Sequence, residues 1–414
     1  MSRRRVAITG LGAVTALAES VDGLFDALCE GKSGISAIES FDVTEYLVKF
    51  GGEIKNFDPT NYVEVREAKR MDRFTQFAVA AAQEAVKDAS LDFSKEDLWR
   101  VGVIVGTGIG GIHEIEEQHT RLLHKGPRKI SPFCVPRLMS NAASGNIAIQ
   151  YGLRGLNYCC TSACASGSHA IGDAYLNIAI GRSDCVITGG SEAALTPIAL
   201  ASFCAAKSLS RRNEDPEAAS RPFDKDRDGF VLSEGAGILV LEEYEHAKKR
   251  GAKIYAEMLG YGATDDGYHI TAPLPDGAGA AKAMEIAIAD AGIEKEQVDY
   301  INAHGTGTQL NDLAESAAIK NVFGEHVYNL AISSTKSCIG HLLGAAGAVE
   351  LVICCKVIAE SVIPPTINLE NPDHRCDLKI NYVPLKPQKR EVNVALSNSL
   401  GFGGHNACLI IGKI

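Results

Sequence analysis

An α/β fold made from two copies of one unit is what this sequence predicts, and two observations carry that expectation. Strand-like apolar runs at Val6 to Gly10 (VAITG), Val101 to Gly106 (VGVIVG) and Cys185 to Gly190 (CVITGG) alternate with segments of helical spacing such as Phe74 to Ala89. Alternation of that kind builds parallel strands joined by helical crossovers. The order of motifs then repeats: TSAC leads into a helix and the strand CVITGG, while ISSTKSCIGH leads into LLGAAGAVELVICCKVI and then SVIPPTINL. Duplication explains the echo, with the second half beginning near Ile254, so residues 1–253 and 254–414 are expected to form the two units.

The 414 residues include 46% hydrophobic and 22% charged side chains with 41 glycines, enough for a sizeable core and many tight turns. A formal net charge of −10 argues against nucleic acid or an anionic membrane as partner, so an acidic partner must meet a local basic patch. The 12 cysteines form no C-x-x-C pair and no zinc-like spacing, and several sit in apolar runs such as VICCKV. They point to reduced thiols in a cytosol-like compartment, with no metal implied. The amino terminus MSRRRVAITGLGAV reads as a first strand and turn rather than a leader. Val392 to Gly412 has no charged residue over the length of a membrane span, but its glycines, asparagines, serines and His405 break the apolar character a span needs.

In chain order, Gly106, Gly108 and Gly111 of GTGIGG match G-x-G-x-x-G after a strand. No second strand ending in an acid comes about 20 residues on to hold a ribose, so turn glycines explain the match. Next comes Tyr158 to Ser168, YCCTSACASGS, in which 10 of 11 residues are small, so the backbone can turn sharply and present one side chain, Cys164. Ala170, Ile171, Ala174, Tyr175 and Ile178 then recur at helical spacing, placing Cys164 at a helix N-terminus. Unpaired amides there stabilise a thiolate and can bring a thiol pKa from about 8.5 toward neutrality. Cys159 and Cys160 read as packing residues of the preceding strand. The long polar stretch from Ser208 to Gly237 carries Phe230, and loops of that length are usually functional. In the second half His304 of NAHGTGT stands at a strand end, where α/β sites collect, and His341 stands at a helix start. NSLGFGGHN is a glycine loop able to bring backbone amides close to a ligand.

As a set, TSACASGSHAIG, RPFDKDRDGFVLSEGAG, NAHGTGT, SSTKSCIGHLLGAAGAVE, PPTINL and NSLGFGGHN resemble the β-ketoacyl-[acyl-carrier-protein] synthases, above all the elongating type II enzymes of fatty-acid synthesis. The similarity runs almost end to end. It implies the thiolase fold, a five-layered α-β-α-β-α body, as a homodimer. It implies an acyltransferase with a Cys-His-His triad on Cys164, His304 and His341, the family's lysine and glutamate falling on Lys336 and Glu350. Oxyanion amides are implied at Cys164 and Phe402, with Phe402 as gate between Gly401 and Gly403. Thr306 and Thr308 match contacts of the pantetheine arm, and Thr271, Phe230 and Ile109 match the substrate site, Ile109 near the acyl tail across the dimer interface. Leu400 stands where the family has phenylalanine, a departure that bears on substrate preference rather than reaction type.

No cofactor of the protein's own is implied, since the substrates carry 4'-phosphopantetheine on acyl carrier protein. The carrier's docking positions in the family match Arg66, Lys69 and Arg70. With Arg73 these are spaced i, i+3, i+4 and i+7, one face if EVREAKRMDR is helical, and Lys125, Arg128 and Lys129 come later in HKGPRKI. The compartment implied is the cytoplasm, or an organellar matrix or stroma. A thiolase would place a second catalytic cysteine where this chain has GFGGHN, an initiating synthase an asparagine in place of His341, and a chain-length factor would lack Cys164. A polyketide ketosynthase, with nearly the same motifs, is the alternative.

Overall fold

The computed structural model describes residues 3–414. Ten strands, β1 (Val6–Val14), β2 (Val101–Gly106), β3 (Asn157–Cys160), β4 (Cys185–Glu192), β5 (Gly235–Glu243), β6 (Ala256–Asp265), β7 (Tyr300–Asn302), β8 (Ala331–Ser333), β9 (Val394–Gly401) and β10 (His405–Gly412), form one sheet. Their order is β8-β7-β9-β10-β6-β1-β5-β4-β2-β3. Read outward from the middle, one side runs β1-β5-β4-β2-β3 and the other β6-β10-β9-β7-β8, the same five-strand arrangement twice. The two sides join through antiparallel pairing of Val6–Ile8 with Ala256–Met258.

β2, β3 and β4 pair in parallel, as do β7, β8 and β9, which matches the expected crossovers. β1 and β6 depart from the expectation: the VAITG strand has only antiparallel neighbours, β5 and β6, and β6 likewise pairs antiparallel with β1 and β10.

Glycines set how closely the outer helices approach. A Cβ on Gly12 of β1 would lie 1.9 Å from the Ala81 carbonyl oxygen of the alanine-rich helix α1 (Arg73–Asp88). The other half repeats the device, since a Cβ on Gly262 of β6 would lie 2.0 Å from the Ala283 carbonyl oxygen. Ala283 belongs to the helix Ala278–Ala291. Helix and strand therefore touch backbone to backbone only where both sequences are small.

The central layer consists of α2 (Ser166–Ala179) and Ala346–Glu360, the outer layers of α1 on one side and α3 (Ala278–Ala291) with α4 (Gln309–Phe323) on the other; Ala346–Glu360 is α5. Alternation along each strand assigns the cores. Leu239 and Leu241 of β5 enter the central core with Ile171 of α2 and Val352 of α5, while Ile238 and Val240 enter the first outer core with Phe77. Ile301, Leu396 and Ile410 meet Met284 and Ile319 in the second outer core. This is the five-layered α-β-α-β-α arrangement, and strands buried on both faces explain the near-continuous apolar runs.

The polar stretch 208–234 has no strand or long helix; it is exposed around 211–218, buried at 219–224 and 229–234, and anchored by the fully buried cation Arg227. Arg227 pairs with Asp373 at 2.7 Å and Asp312 at 3.4 Å and donates to the Thr308 carbonyl oxygen at 3.1 Å. Removing one member of such a buried pair costs about 3–5 kcal/mol. The charge-free run near the carboxyl terminus is the β9–β10 hairpin, and no helix of the described residues is long and apolar enough to cross a membrane.

Candidate active site

Strand ends from both halves meet at one cavity. β3 ends at Cys160, and residues 161–165 turn into α2 with Ala163 at φ +50°, a left-handed conformation that costs an alanine about 1–2 kcal/mol. The turn is held from within: the Ser162 amide donates to Ser166 Oγ at 2.9 Å, and that hydroxyl donates to the Ala163 carbonyl oxygen at 2.6 Å. Cys164 stands at its apex, just before the helix begins.

His304 comes directly after β7, its backbone fixed by a carboxylate that the motifs do not reveal. Glu315 of α4 is fully buried and accepts from the His304 and Gly305 amides, both at 2.8 Å. The signal was present: Glu315 lies on the same helical face as the buried Ala318, Ile319 and Val322, where a charge has to have a purpose. His341 is held as if in a strand, donating its amide to the Val231 oxygen at 2.7 Å and accepting from Ser233 at 3.0 Å. Its ring packs edge-on against Phe230 at 5.3 Å, and its buried Nδ1 has no hydrogen-bond partner among the described residues.

These turns bring a sulfur or nitrogen atom of Cys164, His304 and His341 within 4.8 Å of one another, with the two imidazoles 5.1 Å apart and nearly perpendicular. A cation in the group would meet the charge of Lys336, whose Nζ is 3.3 Å from His304 Nδ1 and paired with Glu350. An ammonium only donates, so His304 Nδ1 accepts and its Nε2 carries the hydrogen.

Burial dominates the electrostatics. It pushes both imidazoles well below their ordinary range, with Lys336 adding to the effect, so each is neutral. Glu350 is raised to about 7 by burial, against the opposing pull of Lys336. The Cys164 thiol is pushed up to about 12, chiefly by burial, although Lys336 and the amides of Phe402 and Cys164 favour the anion. The expected fall toward neutrality therefore does not occur in the free protein: the helix start is present, but desolvation outweighs it.

The cavity has a volume of about 690 Å³. Cys164, His304 and His341 lie in its wall with Thr306, Thr308 and Thr271. Ile109 and Phe230 line its apolar part, and Gly401 and Phe402 lie across it. Gly403 is outside the wall, at φ +89°, donating to the Ile270 oxygen at 2.7 Å. A larger cleft of about 810 Å³, beside Arg73 and Glu234, holds no cysteine.

The basic segment folds differently from a single helix. Val65–Ala68 is one turn, Met71 and Asp72 are buried, and Arg73 turns inward to pair with Glu234. Arg66 and Lys69 remain exposed, Arg70 is held by Glu67 and lies over the Phe133 ring at 5.1 Å, and Arg128 and Lys129 are exposed on the turn Pro127–Lys129.

Residues 3–247 match the family described as Beta-ketoacyl synthase, N-terminal domain, and residues 255–370 match Beta-ketoacyl synthase, C-terminal domain. The chain belongs to the β-ketoacyl synthases. Relatives of this synthase include the 3-oxoacyl-[acyl-carrier-protein] synthase 2 of Synechocystis sp., 52% identical over 100% of this chain and 99% of the relative. That of Vibrio harveyi is 48% identical over 100% of both chains, and that of Staphylococcus aureus 49% over 99% and 98%. Among solved structures, the ishigamide ketosynthase/chain length factor superposes with TM-score 0.93 at 36% identity, over 100% of both chains. A β-ketoacyl synthase from Burkholderia phymatum superposes with TM-score 0.91 at 35% identity, over 99% and 100%. The family read from the motifs and the fold class it implied are both borne out.

Proposed function

We propose that the protein is an elongating β-ketoacyl-[acyl-carrier-protein] synthase, an acyltransferase that condenses malonyl carrier protein with an acyl chain held on Cys164. The convergence of Cys164, His304 and His341 beside an apolar cavity carries this reading. Relatives at about half identity, all named 3-oxoacyl-[acyl-carrier-protein] synthase 2, support the substrate class.

The chemistry divides between the halves, residues 1–253 bringing the nucleophile and 254–414 both histidines. In the first step Cys164 sulfur attacks the acyl thioester, the tetrahedral oxyanion is held by the amides of Cys164 and Phe402, and the departing carrier thiolate takes the proton that Cys164 loses. A thiol with its proton held until substrate arrives resists stray oxidation. In the second, loss of CO2 from the malonyl group leaves an enolate whose oxygen accepts hydrogen bonds from neutral His304 and His341. The enolate carbon attacks the Cys164 thioester, and the sulfur departs as thiolate and takes a proton from solvent, the one proton the condensation consumes. Lys336 and Glu350 act behind His304, fixing its tautomer. Thr306, Thr308 and Thr271 line the pantetheine path, Phe230 and Ile109 the acyl path, and Phe402, flanked by Gly401 and Gly403, is the gate. No cofactor is called for, since the pantetheine arrives on the carrier.

Arg66, Lys69, Arg70, Arg128 and Lys129 form the proposed carrier dock. One solved neighbour, at TM-score 0.92 and 36% identity over 100% of both chains, is an acyl carrier protein in complex with its ketosynthase bound to the hexaketide. A homodimer is proposed from the exposed Ile109, Met139, Ile149 and Tyr158 around the edge strand β3. A cytoplasmic location is proposed, and the 12 free cysteines support a reducing compartment. A polyketide synthase is the second reading, but the neighbour from a type II PKS shares 36% identity against 48–52% for the relatives named 3-oxoacyl-[acyl-carrier-protein] synthase 2.

Incubating the purified protein with acyl and malonyl carrier protein should yield β-ketoacyl carrier protein and CO2, with labelled acyl group on Cys164 when malonyl carrier protein is withheld. Label on any other residue, or none, would overturn the reading.

A further inference from the structure

One buried charge has no part in the condensation chemistry. Glu192 closes β4, is fully enclosed, and has no salt-bridge partner among the described residues. Its Oε2 accepts from the Gly108 amide at 2.7 Å and the Gly344 amide at 3.0 Å, and its Oε1 from Thr107 Oγ at 2.8 Å and the Ile109 amide at 3.2 Å. Thr107 Oγ in turn accepts from the Gly110 amide at 3.2 Å, which leaves its hydrogen for the carboxylate. Burial raises the pKa of the Glu192 carboxyl, and the four donors converging on its two oxygens favour the acceptor-only ionised form and offset part of that cost.

The two turns it joins face the cavity at different points. Gly108 and Ile109 belong to its wall, as does Leu343 next to Gly344, in the turn that comes after His341. They meet without room for side chains: a Cβ on Gly344 would lie 2.3 Å from the Gly108 nitrogen and 2.7 Å from Glu192 Oε2.

We propose that Glu192 is a positioning residue that clamps the Thr107–Ile109 turn to the Leu343–Ala345 turn and so sets how long an acyl tail the cavity beside Cys164 accepts. The inference rests on the proposed function, in which this cavity takes an acyl chain. Glu192→Gln keeps the volume but turns an NH2 toward backbone donors, and Thr107→Val removes one donor while leaving the carboxylate.

The experiment measures kcat/KM for acyl carrier protein primers of increasing length with wild type and both variants, each first shown to be folded by thermal melting. Glu192→Gln should lose at least about tenfold on the longest primers, the size of one charged hydrogen bond, and less than about twofold on the shortest. Thr107→Val should show the same slope at smaller size, and it carries the test alone if Glu192→Gln does not fold. Glu192 also contributes to the raised Cys164 thiol, so the pH profile of Cys164 alkylation by iodoacetamide should move to lower pH in Glu192→Gln and stay in place in Thr107→Val. Equal losses at all lengths, no loss, or an unmoved alkylation profile in Glu192→Gln would overturn the assignment. A wild type that elongates no primer would instead sink the reading of the cavity.

Discussion

The two halves place their strands alike and differ in the connection that leaves each strand. After β3, residues 161–165 are all that separate strand from helix, and the tight turn exposes one sulfur at Cys164. After its counterpart β8, residues 334–345 intervene, with a one-turn helix Lys336–Ile339 and a second turn at Leu343–Ala345, and this longer path delivers Lys336 and His341. β2 leads to the turn carrying Ile109, whereas β7 leads to His304 and Thr306. β4 ends in the buried carboxylate of Glu192, whereas β9 ends at Gly401 before Phe402. In the proposed function, one scaffold thus supplies a nucleophile and a tail pocket from the first set of strand ends, and hydrogen-bond donors and a gate from the second. A duplicated fold becomes asymmetric in chemistry by changing connections while leaving the sheet alone, because the loops carry little of the core.

The largest expected effect separates the two contributions. Cys164→Gln should abolish condensation, yet decarboxylation of malonyl carrier protein should remain measurable as released CO2. Continued elongation would show that the first half does not supply the nucleophile. The second half is tested by His304→Ala and His341→Ala, each of which should slow that decarboxylation by about 10²–10³-fold, the usual effect of one lost oxyanion donor. A decarboxylation rate equal to that of the parent in both variants would break the division of labour.

Charge reversal at the surface should act less strongly. Arg66→Glu with Lys69→Glu, the two cations of the segment without a salt bridge among the described residues, should raise KM for acyl carrier protein at least about tenfold, equivalent to roughly 1.4 kcal/mol. A small pantetheine thioester should be turned over as before, and equal losses on both substrates would place the damage in the fold.

The smallest effect concerns the outer edge of the first half. His246 is held between Glu242 at 2.8 Å and Glu96 at 2.9 Å, and the hydrogen bond to Glu242 leads in raising it to about 8. A raised folded value means that its contribution is fully present below the unfolded value, about 6.5, and is lost as pH rises through about 8. The difference in melting temperature between wild type and His246→Gln should therefore shrink between pH 6 and pH 9. A difference that grew with pH would mean the histidine is neutral in the fold.

The candidate site was legible in the sequence wherever its chemistry is local. A run of small residues before an amphipathic segment marks Cys164, a glycine-flanked histidine at a strand end marks His304 and another ahead of a helix marks His341, because strand, turn and helix are set by neighbours along the chain. The repeat of motifs likewise foretold a sheet order that occurs twice. Other features depend on residues far apart in sequence. Arg73 looked like one of four surface cations, but the buried Met71 and Asp72 break the helix and turn it toward Glu234. Glu192 and Glu315 find their partners only in the fold, where four donors and three donors, respectively, close around them. The protonation of Cys164 was decided in the same way: the sequence supplies the helix start that favours a thiolate, but the degree of desolvation is set by side chains from both halves, and only the assembled fold determines which influence is larger.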